Sequence, residues 1–405
     1  MERPFSIEYI GIPSTSVFCV SHKWLCASTI IIIDKITKTY LIQILKLRIF
    51  AHDRRVAGMK NMKEKLLGKT PEELREVALK CGLPAFTGKQ IAQWMYVKRV
   101  RTIDDMTNIS KQGREKLAGM YDLGISLPIG SAVSSDGTAK YLFKVDENDT
   151  AIEAVVIPDA DRKTLCVSSQ SGCKMGCKFC MTGRQGFHGN LSVAEILNQF
   201  IALDETFELT NTVFMGMGEP LDNYDNVSKA IEVLTADWGF GWSPKRITLS
   251  SIGVIPNLRK YLDGQKCHLA ISLHNPFPDE RESIMPVQKA YDFRDVIDLI
   301  KKYDFTGQRR VSFEYTMFSG FNDTKRHADA LIRLLRGLEC RVNLIRFHKI
   351  PDFPYESSSQ VVMENFRDRL NSNGITCTIR ASRGEDILAA CGMLAGRHNK
   401  SEKNG

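Results

Sequence analysis

The chain has 405 residues, of which 43% are hydrophobic and 25% charged, and this balance excludes a disordered polymer, a collagen-like repeat and a small disulfide scaffold. Lys+Arg 55 against Asp+Glu 47 leaves +8, compatible with a nucleic-acid partner but not diagnostic of one. Eleven cysteines, three of them within eight residues, point to a metal or redox site in a reducing compartment, and the absence of a long apolar run predicts a cytoplasmic protein without a membrane span.

Half of the net charge falls in residues 1–58, where eight basic side chains face four acidic ones. This stretch has no sustained period of 2 or 3.6, and the character changes at Met59. Residues 1–58 are therefore expected to be a non-native or disordered extension, with Met59 or Met62 as the natural start. Residues 59–125 then read as several short helices, a small accessory domain. Thr70-Pro71-Glu72-Glu73 has the form of a capping box with proline at the first helical position. Apolar positions recur at Leu74, Val77 and Ala78, at Ile91, Trp94 and Met95, and at Ile109, Leu117 and Met120. Lys89, Lys98, Arg99 and Arg101 surround Trp94 and Tyr96, a pairing of cations and rings that suits RNA. From these residues alone, a solvated helical face over a small core is the better reading.

Residues 126–163 read as a β-rich connecting segment. From 164 to 396, strand candidates at 164–168, 212–216, 246–250, 268–273, 310–315, 342–346 and 376–379 alternate with helical patterns at 193–203, 227–234, 293–302, 327–338 and 361–370. Such alternation implies βαβ crossovers and a parallel sheet, and about seven units imply an α/β fold of the incomplete (β/α) barrel type, with its chemistry at the C-terminal strand ends. Residues 397–405 read as a polar tail.

The loop after the first barrel strand carries Cys173, Cys177 and Cys180 in C-x₃-C-x₂-C spacing, with Phe179 before the last. Three soft thiolates on one loop can hold three irons of a [4Fe–4S] cube and leave the fourth open. A structural zinc knot recruiting Cys166 is the competitor, but no second C-x₂-C pair accompanies it.

This cysteine pattern is the signature of radical S-adenosylmethionine (SAM) enzymes, and Gly216-Met217-Gly218-Glu219-Pro220 resembles the turn that contacts SAM in that superfamily. Further matches at 165–170, at Ser272-Leu273-His274, and from Arg383-Gly384-Glu385-Asp386 through Ala390-Cys391-Gly392 make the chain similar to the RlmN/Cfr RNA methyltransferases from about residue 59 to 396. The resemblance implies a [4Fe–4S] cluster on Cys173, Cys177 and Cys180, with SAM contacts at Gly218, Glu219, Ser250, Ser272, Leu273, His274 and His348. It also implies two SAM per turnover. One methylates Cys391; the other, cleaved on the cluster, generates a radical that abstracts hydrogen from that methyl. The resulting carbon joins an adenine ring carbon, and Cys166 releases the product by forming a transient disulfide with Cys391. Glu153 aligns with the proton acceptor.

Implied substrates are 23S ribosomal RNA at the peptidyl transferase centre and transfer RNA at the adenosine 3′ of the anticodon. The implied reductant is a flavodoxin or ferredoxin, and a monomer is expected. C2 methylation, the RlmN branch, is the leading expectation, with C8 as the alternative. A radical SAM enzyme for a protein or small molecule, and a zinc-bearing RNA-binding module, are the remaining readings. One departure is evident: Asn343-Leu344-Ile345-Arg346-Phe347-His348 has Arg346 and His348 where the best-known members carry Pro and Asn. Cys19, Cys26, Cys81, Cys267, Cys340 and Cys377 match no motif position and read as structural or incidental.

Overall fold

The capping box forms as its residues dictate. In the computed structural model, Glu73 N–H donates to the Thr70 hydroxyl and Thr70 N–H to the Glu73 carboxylate, starting α1 (Pro71–Lys80). The structure describes residues 63–145, 150–307 and 309–395; the expectations for residues 1–58 and 397–405 lie outside them. All the elements below belong to the compact unit Glu64–Gly405. Helix α2 (Thr87–Ala92) continues into a wider turn, Gln93–Val97, and α3 (Lys111–Met120) follows, capped by the Ser110 hydroxyl. Leu74, Val77, Ile91, Met95, Ile109 and Leu117 pack together inside, whereas Trp94 is half-buried and Met120 exposed.

A ten-stranded sheet forms the body. Its strands are β1 (Gly130–Val133), β2 (Ala139–Val145), β3 (Thr150–Asp159), β4 (Arg162–Cys166) and β5 (Asn211–Phe214). They continue with β6 (Ile247–Ser251), β7 (His268–Ser272), β8 (Val311–Met317), β9 (Cys340–Arg346) and β10 (Thr376–Ile379). Neighbours in the sheet are neighbours in the chain throughout. β1 to β4 form an antiparallel meander, and β4 to β10 are all parallel. Parallel neighbours need a crossover. Helices α4 (Val193–Ile201), α5 (Tyr224–Thr235) and α6 (Ile255–Gly264) provide the first three. α7 (Pro278–Ile284) and α8 (Phe293–Ile300) share the fourth, and α9 (Lys325–Leu335) and α10 (Gln360–Asn371) complete the set.

The sheet does not close on itself, since β1 and β10 are its edges. It curls instead, so that Cys166 on β4 and Arg380 just beyond β10 line one cavity. The α/β incomplete barrel expected from the alternation is the observed fold. Among the described residues, no helix is long and apolar enough to cross a membrane.

Candidate active site

A short hairpin, Gln170–Gly172 against Phe187–Asn190, brackets the loop that follows β4 and makes it a self-contained unit. Cys173 N–H donates to Gly186 O at 2.8 Å, and Lys178 N–H donates to Ile284 O at 2.9 Å, fastening the loop to α7. The Phe179 ring packs against His274 at 4.9 Å and against Phe318 at 5.5 Å, which explains the aromatic before the third cysteine. Burial first, and the charge of neighbouring loop thiols second, push the Cys177 thiol well up. Burial also raises Cys180, and it pushes Cys173 up to about 12. Three desolvated thiols whose charges repel one another fit a cationic iron centre that stabilises all three as thiolates. A Cys₄ zinc set would need Cys166 among them, but the cysteine charge that Cys166 feels is that of Cys391.

Beside this loop lies a cavity of about 160 Å³, lined by Gly218, Glu219, Ser250, Ser272 and His274. Gly218 has φ +98°, and a Cβ there would lie 2.4 Å from the Gln170 Cβ, so glycine is required. The Glu219 carboxylate is turned inward to accept from Leu221 and Ile252 N–H, both at 3.0 Å; burial raises its pKa to about 7. Its main chain is engaged as well: Glu219 N–H donates to Gln170 Oε1 at 2.8 Å, and its carbonyl accepts from Asp222 N–H at 3.0 Å. Thr316 N–H donates to His274 Nδ1 at 2.9 Å, which leaves the proton on Nε2, and burial lowers the His274 pKa to about 3. His274 is therefore a neutral donor. Leu273 is a core residue and does not line the cavity.

A second cavity of about 520 Å³ adjoins the first; Cys180, Arg380 and Cys391 line both. It is lined by Cys166, buried, and Cys391, exposed, both as free thiols. Burial, then the charge of Cys391, pushes the Cys166 thiol up to about 12. Cys391 stands on a segment that crosses the open side of the barrel. Asp386 accepts from the Ser134 hydroxyl at 2.6 Å, Gly384 N–H donates to Asp136 at 3.0 Å, and Met181 N–H donates to Gly392 O at 2.8 Å. Gly392 has φ +86°, a turn that suits glycine directly after the cysteine.

Glu153 is buried on β3 and lines neither cavity. Its carboxylate pairs with Lys140 at 3.0 Å and accepts from Ala395 N–H at 2.7 Å. His348 lines the larger cavity, and both its ring nitrogens have protein partners: the Ser382 hydroxyl at 3.0 Å and the Glu385 carboxylate at 3.3 Å.

Three residues at the site have no signal in the local sequence. Arg281, fully buried on α7, donates to the carbonyls of Ser272 and Leu273 and to Gln288. Glu314 is a buried carboxylate that accepts from Asn343 at 2.8 Å. Arg380 lies 3.3 Å from Met215 Sδ and 3.5 Å from Glu314. The basic patch read around Trp94 is only partly available. Arg99 donates to Thr206 O, with its guanidinium 4.3 Å from the Phe240 ring, and burial lowers its pKa to about 10. Arg101 pairs with Asp204 at 2.9 Å. These two arginines dock the helices onto the barrel, which leaves Lys89 and Lys98 exposed.

Known proteins carry the same organisation. The family model "Radical SAM superfamily" matches residues 167–332, and "Ribosomal RNA large subunit methyltransferase N-terminal domain" matches residues 64–122. A probable dual-specificity RNA methyltransferase RlmN of Bacteroides fragilis is 57% identical over 340 residues, covering 84% of this chain and 98% of that protein. The dual-specificity RNA methyltransferase RlmN of Syntrophus aciditrophicus is 41% identical, covering 80% of this chain and 94% of its own length. A crystal structure of a radical SAM methyltransferase from Sphaerobacter thermophilus superposes with a TM-score of 0.78 at 37% identity, over 82% of this chain and all of that one. The chain belongs to the RlmN family of radical SAM RNA methyltransferases.

Proposed function

We propose that the enzyme methylates C2 of adenosine in 23S ribosomal RNA, at the peptidyl transferase centre, and in transfer RNA, 3′ of the anticodon, using Cys391 as methyl carrier and Cys166 as its resolving thiol. The observation that carries this reading is that Cys166 and Cys391 line one cavity together with Cys180 of the cysteine loop, close enough for Cys166 to feel the charge of Cys391. Cys173, Cys177 and Cys180 would hold the [4Fe–4S] cluster, and the smaller cavity SAM. When bound, the cluster supplies the single electron that makes SAM a radical source, drawn from a reductant such as flavodoxin or ferredoxin.

Cys391 Sγ acts first as a nucleophile toward a SAM methyl group, so two SAM are consumed per methylated base. The Arg380 guanidinium lines the same cavity, and the charge of Cys391 raises its pKa, so a fixed cation stands beside the nucleophile. Adenine C2 is neither acidic nor nucleophilic, so its methylation needs a carbon radical, which the methyl group carried on Cys391 supplies. Once that carbon is joined to C2, the ring proton leaves to a base and the unpaired electron is given up, for which the oxidised cluster would be the acceptor. Cys166 Sγ then attacks Cys391 Sγ and the S–C bond breaks. Its electron pair passes to the RNA-borne carbon, which takes a proton to become methyl. The proton-acceptor role of Glu153 requires release of its carboxylate from Ala395 N–H. A Glu153→Gln enzyme with the wild-type pH profile would remove that role and leave a tether. The protein acts as a monomer in the cytoplasm.

The deciding experiment is mass-spectrometric mapping of RNA treated with the anaerobically reconstituted enzyme. Methyl at C2 that vanishes with Cys391→Ala supports the reading. Methyl at C8 replaces it with the alternative regiochemistry, and activity of Cys391→Ala on a protein or small molecule overturns it.

A further inference from the structure

We propose that Arg162, Arg346 and Arg383 form a phosphate-binding rim at the mouth of the Cys391 cavity, the surface that receives the RNA backbone on either side of the target base. This rests on the RNA methyltransferase reading above and adds where the nucleic acid is held.

The three guanidiniums come from separate parts of the chain: the start of β4, the end of β9 and the loop after β10. All three line the 520 Å³ cavity, and the acidic side chain that lines it with them is Asp159. Asp159 lies 2.5 Å from Arg162 and 3.7 Å from Arg383, so one carboxylate is shared between two cations. Arg346 donates to Gln360, a neutral side chain, and its charge is not offset there. The rim thus carries an excess of two positive charges.

A base that reaches Cys391 must enter the cavity, whereas its ionised phosphates cannot be buried at comparable cost and stay at the mouth. Planar guanidiniums match phosphate oxygens two at a time. Bulk charge is a poor substitute, because half of the +8 lies in residues 1–58 and the patch near Trp94 has given Arg99 and Arg101 to the barrel.

The test is binding of a transfer RNA transcript with an unmodified adenosine 3′ of the anticodon, measured across a salt series without turnover. Arg346→Gln/Arg383→Gln is expected to bind about tenfold more weakly, with a salt slope lower by about 1.4, or roughly 0.7 per lost contact on single-stranded RNA. Arg346→Lys/Arg383→Lys should recover the slope but only part of the affinity. Circular dichroism melting and iodoacetamide labelling of Cys391 are expected to match the wild type, which separates lost binding from lost folding. Wild-type affinity and slope in Arg346→Gln/Arg383→Gln, with binding lost instead in Lys89→Gln/Lys98→Gln, overturns the rim. Failure of the unaltered protein to bind this RNA removes transfer RNA from the reading above and overturns the rim as its holding surface.

Discussion

The loop bearing Cys173, Cys177 and Cys180 and the segment bearing Cys391 present thiols to adjoining cavities, yet the chain holds them in opposite ways. The loop is closed by a hairpin whose two arms, Gln170–Gly172 and Phe187–Asn190, lie close in sequence, so its geometry is largely local. The Cys391 segment is tethered by Ser134 to Asp386, by Gly384 to Asp136 and by Ala395 to Glu153, all contacts separated by more than 240 residues. A metal-binding motif can therefore be read from spacing, whereas the thiol that completes the site is placed by the finished fold.

The largest expected effects separate the two thiol groups by how they fail. Cys173→Ala and Cys166→Ala should each reduce turnover by on the order of 10³-fold or more. Cys173→Ala should lose iron on anaerobic reconstitution. Cys166→Ala should keep its iron and accumulate RNA joined covalently to Cys391, visible as a slow band on a denaturing gel. Free methylated RNA released by Cys166→Ala at the wild-type rate would break the pairing with Cys391.

Arg281 challenges the view that the cysteine loop is wholly local. It is fully buried and satisfies the carbonyls of Ser272 and Leu273, while the end of its helix accepts from Lys178 in the loop. Arg281→Met removes the buried donor to Ser272 O and leaves Leu273 O with Asn275 N–H alone, and stability should fall by roughly 3 kcal/mol. Denaturant unfolding of the apoprotein measures this; a loss below about 1 kcal/mol would mean that the loop stands without α7.

His274 extends the same support to pH. Its pKa falls from 6.5 to about 3 on folding, because burial and then the nearby Arg281 disfavour the charged ring. The unfolded chain thus binds more protons in this range. The contribution is fully present above pH 6.5 and is lost as pH falls toward 3. The slope is up to about 1.4 kcal/mol per unit, or roughly 2 kcal/mol between pH 6.5 and 5. Unfolding curves of the wild type should show that loss, and His274→Asn should flatten it. Equal slopes in the two proteins would remove His274 as the source.

Much of the fold was legible because each parallel strand and most crossover helices carry their own period. The seven barrel strands were found, but α6 and α7 were not. Both carry proline in the first turn, a helix-start signal at Pro256 and Pro278, and Leu258, Tyr261 and Leu262 supply the apolar face of α6. The fate of Arg99 and Arg101 was not legible. In sequence they look like a solvated patch, and only the packing of the helices against Asp204 and Thr206 reveals them as docking residues. Arg281, Glu314 and Arg380 were missed for a related reason: their partners lie on other elements or are backbone carbonyls, which no residue spacing encodes.

The smallest expected effect isolates the tethers of the Cys391 segment. Asp136 and Asp386 are exposed, and their hydrogen bonds to Gly384 N–H and Ser134 compete with water. Asp136→Asn/Asp386→Asn should therefore shift the thermal midpoint by less than about 2 °C, as surface contacts of this kind do. Local opening is another matter, because these two carboxylates fasten the stretch before Cys391 to the turn between β1 and β2. Amide hydrogen exchange across residues 384–393 should be severalfold faster in the double variant, while exchange across residues 173–180 stays at its wild-type rate behind the local hairpin. Parallel acceleration in both stretches would mean that loop and segment open as one unit, and the contrast between them would fail.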